Sequence, residues 1–130
     1  MGVKVNIKLN KANINKLIEA HSKALEMTAD AVLSDIKASA VIPKETGELE
    51  RSHFVDTSQL KDGISRIIAG GGDTPYARRL YWHPEYNFRK DKNANAQGKW
   101  MDDYLYGEKQ QFIKDTYSTF FKQLSKGLIK

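Results

Sequence analysis

Residues 74–100, TPYARRLYWHPEYNFRKDKNANAQGKW, alternate aromatic rings with cations. Tyr76, Tyr81, Trp82, Tyr86 and Phe88 are interleaved with Arg78, Arg79, Arg89 and Lys90. Rings and cations mixed in this way stack nucleobases, at about 1–3 kcal/mol per base. Tyr, Trp and Arg also concentrate at protein interfaces, where acidic residues are sparse, and large rings pack cores. A single-strand binder usually carries its aromatics on a sheet face, whereas this stretch reads as helix and then loop. Three uses therefore stand side by side, with a protein contact fitting best.

Other candidate chemistry is incomplete. His83-Pro84-Glu85 supplies a His-x-Glu pair, half of a set that holds a zinc-activated water beside a general acid–base; the other half needs two cysteines, and the chain has none. Asp102 and Asp103 are adjacent, so on a helix they point about 100° apart. They suit a first helical turn, where carboxylates meet the positive end of the dipole. The run GGGD at 70–73 is followed neither by Gly-Lys-Ser/Thr nor by a glycine register that cradles phosphate, and reads as a bend. No G-x-S-x-G elbow occurs. His21, His53 and His83 share no metal-ligand spacing, and His21 falls on an apolar helical stripe, which predicts a packed, hydrogen-bonded ring. No catalytic residue, metal site or cofactor is expected, and the chain reads as a non-enzyme.

With 130 residues the length predicts one domain over 1–130. Apolar residues make up 40% and charged residues 28%, an ordinary globular balance. Apolar runs are too short to span a bilayer, mean hydropathy is −0.60, and no contact with membrane is expected. The opening MGVKVNIKLN lacks a leader's apolar core and the Ser or Thr expected for myristoylation. The absence of Cys excludes disulfides and thiolate sites and fits synthesis in the cytosol. Net charge is +5, and residues 78–100 hold six cations against two anions. That excess suits the neighbourhood of a polyanion but is modest for a dedicated DNA binder. A solvated loop kept soluble by its cations is the plainer reading.

The elements that would hold these residues follow from periodicity. Val3, Val5, Ile7 and Leu9 alternate with polar residues, predicting a half-buried strand. Asn10 is placed to cap a helix of about thirty residues whose stripe is Ile14, Leu17, Ile18, His21, Leu25, Thr28, Val32 and Ile36, stopping before Pro43. Thr46 is placed to cap a short turn containing Glu48, Leu49 and Glu50. Segments 53–60 and 64–70, joined by Lys61-Asp62-Gly63, predict a hairpin. Pro75 opens a short helix, and residues 83–98 lack any apolar period and predict a long loop, a length usually reserved for function or disorder. A last helix is expected from Lys99 to Ser125, bent near Gly107, burying Met101, Leu105, Phe112, Ile113, Tyr117, Phe120, Phe121, Leu124 and Leu128. The expected class is α+β: long N- and C-terminal helices on a small, mainly antiparallel sheet, with a loop around 83–98.

Three ordered stretches carry a resemblance. VIPKETGELERS is similar to P-x-x-T-G-x-L-x-x-S, DTPYARRLYW to PYA-R-x-x-Y/H, and NFRKDKNANAQGKWMDDYL to N-F-x-x-D-x-N-x-x-A-x-x-K-W. In this order they resemble the minor capsid, or head–tail connector, proteins of long-tailed double-stranded-DNA bacteriophages and prophages, over about residues 40–105. LYWHPE departs from the tyrosine- or glycine-rich link usual there. The resemblance implies a virion subunit at the head–tail junction, assembled in the host cytoplasm. It would act as a ring of identical chains between a portal, adaptor or head-closure protein and the tail terminator or tail tube, in non-specific contact with DNA. It places Thr46, Gly47 and Leu49 in the turn after the first helix and Tyr76, Ala77 and Arg79 in a packed segment. It makes Asn87, Phe88, Asp91, Asn93, Ala96, Lys99 and Trp100 a contact loop and its anchor. With their neighbours, the expected protein-contact residues are Tyr76, Arg78, Arg79, Tyr81, Trp82, Asn87, Phe88, Arg89, Lys90, Asp91, Lys92, Asn93, Lys99 and Trp100. The arm is expected to order only against a partner, so that Trp100→Ala leaves a soluble monomer unable to join heads to tails. A small basic nucleic-acid-binding accessory protein is the alternative.

Overall fold

The computed structural model describes residues 2, 11–44, 47–70 and 74–128. The expected strand Val3–Leu9, the Asn10 and Thr46 caps and Gly71–Asp73 lie outside the described residues. The architecture is α+β: a long first helix lies against a C-terminal helix and a two-stranded antiparallel hairpin.

The first helix, α1 (Lys11–Ala38), buries Ala20, Ala24, Thr28, Ala29, Val32 and Ile36. Small residues dominate its first buried turns and β-branched ones its last. The Thr28 hydroxyl, turned inward, donates to the Ala24 carbonyl at 2.6 Å and so carries no unmet polar group into the core. The stripe is shorter than expected: Ile14 and Ile18 are exposed, Ile18 at 57%. Burial begins at Ala20, and the first turns of the helix stay in solvent. α1 runs 28 residues, close to the thirty expected, and stops at Ala38, two residues before Ala40 takes φ 55. A left-handed alanine is disfavoured by its Cβ, and it turns residues 41–42 away from the helix axis.

After the short α2 (Glu48–Arg51), β1 (Phe54–Asp56) pairs with β2 (Arg66–Ile68) in the register Phe54↔Ile68, Val55↔Ile67 and Asp56↔Arg66. Both strands are shorter than predicted. The chain leaves the ladder where the Asp56 carboxylate accepts the Ser58 N–H at 3.0 Å, a local turn that competes with pairing. A 3-10 turn over Leu60–Asp62 then ends on Gly63, whose φ of 76 a residue with Cβ rarely adopts. The aspartate–glycine signal was read correctly.

Pro75 precedes α3 (Ala77–Tyr81) as expected. The predicted last helix is two: α4 (Asp102–Leu105) and α5 (Lys109–Leu124). It cannot start at Lys99, which has φ 48, and it breaks at Tyr106–Glu108, with Gly107 pressed 3.0 Å from Asp103 Cα at its would-be Cβ. The break leaves Leu105 exposed, and Leu124 is also exposed, correcting both as core residues. Phe112 and Ile113 instead pack at the core's edge. No helix among the described residues is long and apolar enough to cross a membrane.

The core joins distant parts of the chain: Val32, Ile36, Ile42, Leu49, Ala77, Trp100 and Tyr104 form one cluster. The segment between Trp82 and Met101 has no helix or strand, as predicted, yet its second half is laid along residues 39–42. Asn95 N–H donates to the Ala40 carbonyl at 3.1 Å and Gln97 N–H to that of Val41 at 3.0 Å. The Asn93 side-chain amide reaches the Ile42 carbonyl at 2.8 Å. Gly98 is buried against backbone: a Cβ there would stand 2.7 Å from Pro84 Cα and 3.1 Å from the Leu80 carbonyl. Gly98→Ala is expected to destabilise the fold by about 1–3 kcal/mol through this overpacking. Urea melts of the variant and wild type measure it; superimposable curves would show that the loop is not seated this way.

Candidate functional site

The sequence-predicted contact residues separate into an inward set and an outward set. Trp100 and Asn93 go inward. The Trp100 ring is 2% exposed and meets Tyr81 edge-on, with ring centres 4.9 Å apart. Its indole N–H donates to His53 Nε2 at 3.0 Å, and His53 Nδ1 donates to the Leu49 carbonyl at 2.8 Å. The two bonds determine the tautomer: Nδ1 carries the proton and Nε2 accepts. His53, 3% exposed, is thus a neutral link between α2 and the end of the loop. Burial holds its pKa below the ordinary 6.5, and the Leu49 carbonyl only partly offsets this.

This geometry corrects the expectation that Trp100 is an anchor for a partner and that the whole arm waits for one. Trp100 anchors the loop to its own fold, and Asn93 is spent on the Ile42 carbonyl. The physical reason is a donor that needed a buried acceptor, and a histidine 47 residues away supplies it. Tyr81 is half-buried, its hydroxyl donates to Asp102 Oδ1 at 2.9 Å, and burial pushes its pKa up to about 12. Tyr81 too belongs to the frame.

The outward set surrounds a cleft of about 650 Å³ between three segments. Lys44, Gly47 and Leu49 form one wall, Tyr76 and Arg79 of the α3 region the second, and Tyr86 to Arg89 the third. Arg79 Nε donates to the Tyr86 hydroxyl at 3.2 Å, and its guanidinium lies 5.8 Å from that ring's centre. His83 stacks on the Tyr86 ring, parallel within 7° at 4.7 Å. Phe88 tilts against Tyr86 at 6.3 Å. The loop tip is braced by the Arg89 fork, which binds both oxygens of Asp91 at 2.8 and 2.7 Å and holds that carboxyl down at about 2. Lys44, in the first wall, pairs with Glu50 at 3.0 Å. Lys90 and Lys92 are exposed beyond the tip.

Arg78, Trp82 and Lys99 sit elsewhere. Arg78 and Trp82 line a smaller recess, and Lys99 Nζ lies 5.7 Å from the Trp82 ring centre. The arrangement offers apolar side chains, ring edges and a guanidinium, which suit the recognition of apolar and anionic groups. Sequence reasoning left Lys44, Leu49 and Tyr86 out of the contact set and, having set His53 aside as a metal ligand, gave it no role. Of these, Tyr86 was signalled by its place between His83 and Phe88; His53 had no local signal. Comparison with protein-family models, with curated proteins and with solved structures finds no match to this chain.

Two measurements follow from the indole–imidazole link. Trp100→Ala is expected to cost about 3–5 kcal/mol, lowering the urea midpoint of the isolated chain. The depressed His53 pKa makes its contribution to stability complete above 6.5 and progressively lost as pH falls from 6.5 toward the folded value. Stability of wild type should therefore drop more between pH 7.5 and pH 5 than that of His53→Gln; equal drops would sever the link from the fold's pH response.

Proposed function

We propose that this chain is a structural subunit of a bacteriophage or prophage virion, forming part of the ring that joins the DNA-filled head to the tail. It would meet a portal, adaptor or head-closure protein on one side and the tail terminator or tail tube on the other. The reading is supported by one convergence. The three stretches that resemble the connector proteins are separate in sequence, at 41–52, 73–82 and 87–105, yet Leu49, Ala77 and Trp100, one from each, share a single core cluster. Gly47, Tyr76, Arg79, Asn87 and Phe88 from the same stretches line one cleft.

The division of labour is physical. A subunit that must hold against internal DNA pressure gains from a loop already ordered before docking, because the entropy of ordering is not then subtracted from the docking free energy. The seated half, residues 93–100, provides that order, and residues 86–92 present the contact chemistry. The nucleic-acid alternative requires the aromatics on an accessible platform; here His83 and Tyr86 stack on each other and Arg89 is engaged by Asp91.

In a phage that encodes the chain, Phe88→Ala with Arg79→Ala is expected to leave a folded protein but yield filled heads and detached tails in electron micrographs. Joined, infectious particles would overturn the reading. The isolated chain is expected to bind double-stranded DNA weakly at low salt. Tight binding that falls steeply with added salt would instead favour the nucleic-acid alternative.

A further inference from the structure

The charge of the chain reverses at Trp100. Residues 78–100 carry six cations and two anions, whereas residues 101–108, MDDYLYGE, carry three anions and no cation. This second segment forms α4 and the corner into α5. Its frame is rigid. Tyr104 is buried, and its hydroxyl donates to the Asp35 carboxylate, which also meets Lys109 Nζ at 3.0 Å. Desolvation acts to raise the Asp35 pKa, but the bonds from Tyr104 and Lys109 outweigh it and hold the carboxyl below its ordinary value. The Gln110 side-chain amide donates to the Leu105 carbonyl. Against that frame Tyr106 stands in solvent, 82% exposed, and Leu105, 52% exposed, sits at the edge of a groove lined by Val32, Ile67 and Ile113; the exposed carboxylates of Asp103 and Glu108 flank them.

An aromatic and an aliphatic side chain held in solvent on a fixed corner and flanked by carboxylates are the chemical complement of the cleft. The cleft has the apolar side chains of Pro43 and Phe88, the ring of Tyr86 and the Arg79 guanidinium, with the Glu48 carboxylate also in its lining. Arg79 is bonded there to the Tyr86 hydroxyl rather than to a carboxylate, and its guanidinium is exposed. Neither feature occupies the other within one chain: the corner is exposed, and none of its residues lines the cleft.

We propose that the Leu105–Tyr106 corner of one copy docks into the Arg79–Phe88 cleft of a second copy. Because the two surfaces differ, each pairing leaves one corner and one cleft unused, so the contact propagates head to tail and closes wherever the rotation allows. The inference rests on the connector reading only for closure into a ring, and it adds to that reading which surfaces meet. The steering charges sit at the rim, where they act on partner choice and association rate.

The test is light scattering of the full chain over a concentration series, with wild type, Arg79→Glu, Asp103→Arg and the double variant Leu105→Ser/Tyr106→Ser. All replaced residues are exposed, and circular dichroism checks that each variant is folded. Wild type should exceed the mass of one copy as concentration rises. Each variant should associate roughly tenfold more weakly or worse. An equal mixture of Arg79→Glu and Asp103→Arg should recover association, since the exchanged charges are again opposite. A wild type that remains a single copy, variants that associate like wild type, or a mixture no better than its components would each overturn the pairing. The connector reading would survive those results, because it stands or falls on whether heads and tails join.

Discussion

The indole N–H of Trp100, donated to His53 Nε2 while His53 Nδ1 donates to the Leu49 carbonyl, constrains most of what surrounds it. A buried indole without an acceptor, or a buried imidazole with only one of its nitrogens satisfied, would lose hydrogen bonds made in water and gain none. The relay removes that penalty at both rings. In doing so it ties α2, the end of the long loop and the core cluster to one another. The ring of Trp100 then supplies the surface on which Tyr81 packs, and Tyr81 in turn reaches Asp102 at the start of α4. Three short elements too small to be stable alone are thereby held by one aromatic residue and its partners.

The loop illustrates how a long irregular segment is made rigid without regular structure. Its backbone donors at Asn95 and Gln97 are satisfied by the carbonyls just past α1, and its Asn93 amide by the next one. Two left-handed non-glycine residues, Ala40 and Lys99, stand at the two ends of this seam. Such conformations persist only where the surroundings over-determine them. Here the surroundings are the seam itself and the Lys99 N–H, donated to the Tyr81 carbonyl at 2.8 Å. The strain is local, and its consequence is that residues 86–92 leave the body in one direction with their rings and cations already arranged. Exposed rings and cations on one side and fold-stabilising contacts on the other therefore occupy different halves of one loop.

Much of the frame was legible from pattern. The α1 stripe from Thr28 to Ile36, the Asp62-Gly63 turn, the Pro75 helix start and the absence of regular structure over 83–98 all rest on local rules of spacing and conformation. The misreadings share a cause. Leu105 and Leu124 fit a helical apolar face, but a face is buried only where something covers it, and the break at Tyr106–Glu108 turned Leu105 outward. Trp100 was assigned to a partner because a loop tryptophan looks like an anchor; which body it anchors depends on where an acceptor lies, and that was His53. The cleft was half legible, since Tyr76, Arg79 and Phe88 were expected to work together, while Lys44 and Leu49 came from a stretch read only as a turn.

By itself the order of residues determined the α+β class, the distribution of charge along the chain and the placing of aromatics beside cations. These depend on periods of two and 3.6 residues and on the conformational limits of glycine and proline. Tertiary structure decided which aromatics became core and which stayed in solvent, which cations were neutralised by carboxylates, and that a histidine and a tryptophan 47 residues apart share a hydrogen bond. Burial and pairing are properties of space: a side chain's surroundings are set by segments that no local window contains.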